Sequence, residues 1–237
     1  MRIYSPAIRI GIAASMLVLL AAGQPLAQQK TPVQIPKPGV PQIMTLEGAF
    51  IRIAYNNEGY VTMGYRVANE SVGQEWMRLD VGMTVRDGQP MYKLPRTGVS
   101  LETPDGKKIP LATNQEYMNV DLRNLEMRAK TVPDEIGYFP PQAGDKACHI
   151  SFFAPTGSPT RAFDDVDLQS NRGCLGGLYF RIPGGIKYGQ HWLNVQFKTS
   201  LVRVPFRIMT KDEEKAAEKN WKDIKKQVDA AFKKGGK

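Results

Sequence analysis

Apolar and polar residues alternate with period two along most of the chain from residue 48 to residue 209. In the clearest run, from Trp76 to Val85, every second residue is apolar, which is typical of a strand with one buried face. The same pattern predicts about nine short strands. They cover residues 50–55, 61–67, 76–85, 99–103, 108–111, 148–153, 175–182, 191–198 and 202–208.

Turn residues separate these strands and favour hairpins. Asn56–Gly59 is a turn cluster, and Pro104-Asp105-Gly106 is one of the clearest hairpin signals in the chain. Pro205 lacks a backbone donor, which predicts that the last strand lies at a sheet edge or that Pro205 takes a non-bonded position. Because helices do not alternate with the strands, the pattern favours an antiparallel β-sandwich over a parallel α/β sheet.

Two segments have helical periodicity instead. Residues 116–129 lose the alternation and predict one helix inserted among the strands. Residues 211–234 predict a long C-terminal amphipathic helix, because Thr210 and Glu213 have the spacing of a capping box. The apolar residues of this helix recur every three or four positions and form a narrow stripe: Ala217, Trp221, Ile224, Val228 and Phe232.

The first residues have the pattern of a secretory signal. Arg2 and Arg9 accompany an uncharged apolar run that is too short to span a bilayer, and no later run is long enough. Cleavage after Ala27 or Gly23 would release a periplasmic or secreted protein, and the alternative is an uncleaved anchor. The predicted organisation is a signal peptide (1–27), a Pro-rich linker (28–45), a β-sandwich domain (46–209), and a C-terminal helix with a basic tail (210–237).

The net charge bears on the class of partner, and the cysteine content bears on the presence of a disulfide bond. The chain has 32 basic and 23 acidic residues and a formal charge of +9, which becomes +7 when residues 1–27 are removed. The basic residues are spread along the chain, so we interpret the charge mainly as solubility and expect no nucleic-acid partner. Cys148 and Cys174 form an even pair in a chain with an export signal, which predicts a disulfide bond.

Three short stretches resemble a known family. They are Val67-Ala68-Asn69-Glu70-Ser71, Thr103-Pro104-Asp105-Gly106-Lys107-Lys108 and Gly176-Gly177-Leu178-Tyr179-Phe180-Arg181-Ile182-Pro183. Together they resemble the immunoglobulin-like domains of unknown function in exported bacterial proteins, over residues 49–209. The resemblance implies an immunoglobulin-like sandwich and no chemistry, so it carries over no functional residue. The predicted fold class is therefore mainly β, with one inserted helix and the long C-terminal helix.

Few residues suggest chemistry. Asp164, Asp165 and Asp167 place carboxylates close together and make a calcium site one interpretation, but their order does not match an EF-hand and a solvated acidic loop is favoured. The two histidines, His149 and His191, lie in predicted strands, where ordinary strand positions are favoured over a metal or catalytic pair. No GxSxG, HExxH or P-loop motif occurs. The sequence therefore predicts no catalytic residue and no cofactor.

The C-terminal stripe is the candidate interaction site, through Trp221, Ile224, Val228 and Phe232. Docking on the protein's own domain is the favoured interpretation of this stripe. The alternatives are a protein partner or self-association, and binding to a membrane surface, which the mixed charges of the helix weaken.

The predicted function is an exported, non-catalytic binding or interaction module of the bacterial envelope or secretome. The alternative is a secreted hydrolase that acts on envelope or extracellular polymer. A convergent polar site distinguishes the two, because an enzyme needs titratable groups held together in a pocket. His149 or His191 in a deep pocket beside a carboxylate would favour the hydrolase.

Overall fold

A computed structural model describes residues 43–46, 48–131, 136, 148–154 and 161–235, with side chains between residues 48 and 227. The described part contains twelve strands: β1 (Ile43–Leu46), β2 (Ile51–Tyr55), β3 (Gly59–Gly64), β4 (Trp76–Val85), β5 (Tyr92–Pro95), β6 (Val99–Glu102), β7 (Lys108–Pro110), β8 (Cys148–His149), β9 (Asp165–Leu168), β10 (Cys174–Arg181), β11 (Gly189–Gln196) and β12 (Leu201–Ile208). It also contains four α-helices: α1 (Arg66–Asn69), α2 (Asn114–Met118), α3 (Arg123–Thr131) and α4 (Lys211–Gly235). The predicted signal peptide lies outside the described residues, as does the predicted linker up to residue 42.

The strands form two larger sheets and one small sheet. The first sheet has the order β1-β2-β3-β4-β10-β8, the second has the order β12-β11-β6-β7, and β5 pairs with β9. The prediction of a mainly β chain with a C-terminal helix is confirmed. The described strand pairs are antiparallel, except that β8 pairs with β10 in parallel. Cys148 lies opposite Cys174 in that parallel pair, and the disulfide between them holds the two-residue β8 in place.

Two strand predictions are confirmed in detail. β4 has the predicted bounds, and its five alternating apolar side chains, at positions 77, 79, 81, 83 and 85, are all buried. β12 lies at the edge of the second sheet, as Pro205 predicts. The capping box at the start of α4 is also present, because Thr210 N–H donates to Glu213 and Glu213 N–H donates to the Thr210 hydroxyl.

The two larger sheets contribute to one apolar core. β12 of the second sheet packs on β2 and β3 of the first, and buried side chains of both sheets belong to the same cluster. Tyr65 lies at the centre of this contact, with its ring 5.4 Å from that of Phe50 and 5.3 Å from that of Phe206. Its phenol donates to the Ala49 carbonyl at 3.1 Å and accepts from Arg52 at 2.8 Å, so the buried hydroxyl is paired.

A polar clamp joins the hairpin turns of the two sheets. Glu58, between β2 and β3, accepts hydrogen bonds from the backbone N–H groups and the hydroxyls of Thr199 and Ser200, between β11 and β12. The two hydroxyl bonds are both 2.6 Å long. Asn56 donates to the Ser200 hydroxyl at 2.9 Å from the same turn. Although burial opposes it, these bonds from Ser200 and Thr199 lower the pKa of Glu58, which therefore stays ionised in the clamp.

The predicted strand over 61–67 is wrong at its end. β3 ends at Gly64, and the chain turns into the short helix α1 because Tyr65 enters the core between the sheets. Ser71 donates to the Val67 carbonyl at 2.7 Å and ends this turn. Asn69, which is buried, accepts from the Met209 backbone N–H at 2.6 Å, so α1 is tied to the end of β12.

The predicted single helix over 116–129 is two helices. Thr113 and Glu116 form a capping box that starts α2 earlier than the pattern indicates. α2 ends at its C-cap residue Asn119, and the Asp121 carboxylate accepts from the Arg123 backbone N–H at 3.1 Å at the start of α3. Short polar side chains compete with the backbone for such bonds, which explains the break.

Three strands were not predicted from the sequence. β1 lies at the boundary of the predicted linker, while β5 and β9 are short and pair with each other. In contrast, β8 includes only two of the six residues predicted as strand. The count of about nine strands is therefore too low for the described part of the chain, which has twelve.

The predicted disulfide between Cys148 and Cys174 is present, with a sequence separation of 26 residues. Gly176 follows on β10, where a Cβ atom would lie 2.6 Å from the Ile150 carbonyl oxygen. Glycine is therefore needed where Ile150, just after β8, lies against this strand. Within the part of the chain that is described, the helices are all too short or too polar to cross a bilayer.

We expect Glu58→Gln to lower the free energy of unfolding by about 1–2 kcal/mol, because an amide replaces a charged acceptor of four hydrogen bonds. Denaturant unfolding of the two proteins measures this loss. Glu75→Gln is the matched control, since Glu75 is exposed and lies 3.5 Å from an exposed Arg181. Equal losses in the two variants would contradict the role of the clamp.

Candidate functional site

The candidate interaction site is built on α4, which follows β12 directly. Ionic contacts hold the start of this helix on the domain. Glu213 lies 2.8 Å from Arg207 of β12, and Glu218 lies 3.3 Å from Arg66 of α1. The Arg66 guanidinium also lies over the Phe50 ring, at 4.2 Å from its centroid. The first part of α4 therefore has defined partners on both the second sheet and α1.

The predicted stripe divides into two parts along α4. Ala217 and Trp221 are partly buried and pack against the core of the domain. Beyond Trp221 the side chains of residues 222–227 are all exposed, and Ile224 has 43% of its surface accessible. The side chains of Val228 and Phe232 lie outside the described residues. Docking on the protein's own domain therefore accounts for Trp221 and does not cover Ile224.

His191 of β11 lines a cavity of about 80 Å³. The ring is buried, stacks on Phe206 at 5.3 Å, and has Nδ1 at 3.1 Å from the Gly189 carbonyl. Burial lowers the pKa of His191, although the hydrogen bond to Gly189 and the negative charge of Asp105 oppose this shift. The histidine is therefore neutral at ordinary pH. His149, by contrast, is exposed on β8.

Asp105 lines the same cavity, at the hairpin turn between β6 and β7. Gly106 provides the positive φ of this turn, +77°. Hydrogen bonds from the Thr103 hydroxyl, at 2.5 Å, and from Lys107 hold the pKa of Asp105 well below its usual range. The Lys187 ammonium group lies 3.7 Å from Oδ2 of Asp105, the same oxygen that Lys107 contacts. The carboxylate is therefore held by a hydroxyl and two ammonium groups.

The three aspartates of the acidic segment each lie near a basic side chain. Asp165 and Asp167 lie on β9, where the sequence suggests a loop, and their carboxylates are 3.5 and 3.9 Å from the Lys93 ammonium group. The Asp164 side chain is 98% exposed and lies 3.6 Å from Arg96. In the described residues, His, Cys, Asp and Glu side chains form no group of three or more that could hold a metal ion.

Sequence reasoning missed a partly buried polar cluster around Arg78. This arginine donates to Asp80 on its own strand and, at 2.6 Å, to Glu126 of α3. The Tyr179 hydroxyl of β10 donates to the same Glu126, and burial raises the pKa of Tyr179 far above its ordinary value. Arg78 and Asp80 at positions i and i+2 of a strand were the available signal, but the Glu126 contact depends on tertiary structure. The cluster fastens α3 to the first sheet.

Two open clefts have volumes in the range of roughly 300–1,000 Å³ that is typical of ligand sites. The larger, of about 490 Å³, is lined by Trp76, Glu116 and Arg181 among others. Its Glu116 already caps α2, and its Arg181 pairs with Glu75. The smaller, of about 360 Å³, lies beside Tyr92 and Phe197 and exposes Met91. Glu58 also lines this cleft, where its carboxylate already accepts the hydrogen bonds of the clamp.

We expect the free energy of unfolding to fall as the pH is lowered through about 6.5, because the unfolded chain then binds a proton that the buried His191 resists. The loss amounts to about 1.4 kcal/mol for each unit by which folding lowers the pKa. Denaturant unfolding between pH 8 and pH 5 measures it. His191→Gln removes this dependence, while His149→Gln is the control and retains it. A similar pH dependence in both variants would contradict the assignment.

Comparison of the chain with protein-family models, with curated proteins and with solved structures found no match. The resemblance to immunoglobulin-like domains therefore still rests on the short stretches of sequence quoted above. A fold alone does not establish a function, which depends on the chemistry of the sites that the fold carries. Of these sites, α4 alone presents a partly covered apolar stripe in the described part of the chain.

Proposed function

We propose that this chain is an exported, non-catalytic binding or interaction module of the bacterial envelope or secretome, built on an immunoglobulin-like β-sandwich and binding its partner through α4. The mainly β fold, the core common to both larger sheets and the disulfide support the sandwich and the exported state. One observation carries the proposal of binding. The apolar stripe of α4 is packed at Trp221 and 43% exposed at Ile224, only three residues later.

The first part of α4 is attached to the domain, and the described side chains of the part that follows are exposed to solvent. The capping box, the ion pairs to Arg207 and Arg66, and the packing of Trp221 hold residues 211–221 on the domain. We call residues 222–237 the distal segment. Its described side chains, at residues 222–227, are all exposed. A stretch of amphipathic helix that does not pack on its own domain is only marginally stable in water. Burial of its apolar residues against a partner would stabilise it.

The alternative, a secreted hydrolase, has one observation in its favour, since His191 lines a cavity together with Asp105. However, a cavity of about 80 Å³ is smaller than the sites that hold even small ligands. The Thr103 hydroxyl in its wall donates to Asp105, and Nδ1 of His191 lies beside the Gly189 carbonyl. A hydrolase needs a nucleophile bonded to its base, and these bonds are directed elsewhere. The interaction module is therefore the better-supported function.

We expect Ile224→Gln to weaken binding of the protein to washed envelope membranes about ten-fold, because it removes an exposed apolar side chain from the stripe. Co-sedimentation over a range of protein concentrations measures the affinity. The substitution leaves the domain folded, since Ile224 is not part of the core. Deleting residues 223–237, which keeps Trp221, should have an effect at least as large.

Leu201→Gln is the matched control, because Leu201 on β12 is also an aliphatic side chain with 43% exposure. This variant should bind like the wild type. Equal losses for Ile224→Gln and Leu201→Gln would contradict a specific role for the stripe. Light scattering adds a test of self-association, which would give a dimer mass that Ile224→Gln abolishes.

Export is tested by the N-terminus of the protein recovered from its native cells. We expect sequencing to start at Gln28 or Gln24, because Ala27 and Gly23 are the plausible cleavage positions. Fractionation should place that product outside the cytoplasm. A cytoplasmic protein with an intact N-terminus would contradict export.

A further inference from the structure

Charge is distributed unevenly along α4 and its tail. Residues 211–221 contain four acidic residues and three lysines, whereas the distal segment, residues 222–237, contains six lysines and two aspartates. Two of the acidic residues in the first part, Glu213 and Glu218, pair with arginines of the domain. The helix is therefore held to the domain by its acidic part and presents a basic part beyond it.

The described lysines of the distal segment are accessible. Lys222, Lys225 and Lys226 are all exposed, and Lys226 pairs within the helix with Asp223 at a long 3.9 Å. An exposed pair of this kind contributes little, so these ammonium groups are available to an anionic partner. Ile224 lies among them with 43% of its surface exposed. An apolar side chain thus lies within a short, strongly basic stretch of helix.

We infer that the distal segment binds the surface of a bilayer that contains anionic phospholipids, an inference that rests on the proposed function of α4. A helix with lysines on its polar side and a narrow apolar stripe lies in the interface of such a bilayer, with its apolar residues at the level of the headgroups. The lysines add electrostatic attraction to the lipid phosphates. Pairing with a second copy is disfavoured, because two distal segments side by side would each bring a net charge of +4.

The experiment uses the purified protein and vesicles of phosphatidylcholine alone or with 30% phosphatidylglycerol, and measures binding by co-sedimentation. We expect binding to the anionic vesicles that weakens as salt is raised, and at least ten-fold weaker binding to the neutral ones. The triple variant Lys222→Gln, Lys225→Gln and Lys226→Gln should lose about a hundred-fold in affinity for the anionic vesicles, since each lysine near such a surface strengthens binding about five-fold.

A second triple variant is the control: Lys108→Gln, Lys130→Gln and Lys198→Gln. It removes the same charge from exposed lysines of the domain and should bind nearly as the wild type does. Equal losses in the two triple variants, or equal binding to neutral and anionic vesicles, would overturn the inference. If the vesicles are not bound but co-sedimentation with envelope membranes still depends on Ile224, the partner is a protein; the lipid inference then fails and the proposed function stands. If Ile224→Gln binds envelope membranes and anionic vesicles as the wild type does, the proposed function and the lipid inference both fail.

Discussion

The carboxylate of Glu58 joins the two larger sheets at one end, and the start of β12 depends on that link. It holds the turn at Thr199 and Ser200 from which β12 starts. At the other end of β12, the Met209 backbone N–H donates to Asn69 of α1. Since α4 begins two residues later, a strand fixed at both ends sets the place from which the helix leaves the domain.

The sequence predicted most accurately a strand in which hydrophobic burial dominates. β4 lies between β3 and β10 in the first sheet and directs one face at the core, so its alternation of apolar residues is complete. β9 also alternates, with Val166 and Leu168 buried, but aspartate at positions 165 and 167 is rare in strands and suggests a loop. Lys93 of the paired strand β5 compensates the two carboxylates, and this neighbour is not evident from local sequence.

At the candidate site, too, local sequence predicted the element but not its tertiary contacts. Spacing alone predicted the stripe of α4, because helical periodicity is a local property. Which of its residues are covered depends on the surface of the domain, and Arg66, which pairs with Glu218 of the helix, is 152 residues away in the chain. The contact between Arg78 and Glu126 is likewise formed across 48 residues. Periodicity therefore indicates that a helix has an apolar face, but it does not indicate how much of that face packs against the helix's own domain.

Part of the charge distribution of α4 has an ordinary explanation. Acidic residues in the first turn and basic residues in the last turn both stabilise a helix through its dipole. That effect is confined to about one turn at each end. Lys222, Lys225 and Lys226 lie near the middle of the 25-residue helix, where the dipole does not favour them. They are also exposed, so contact with the domain does not explain them either. The inferred contact with anionic phospholipids therefore rests on this excess of positive charge at mid-helix, next to an exposed isoleucine.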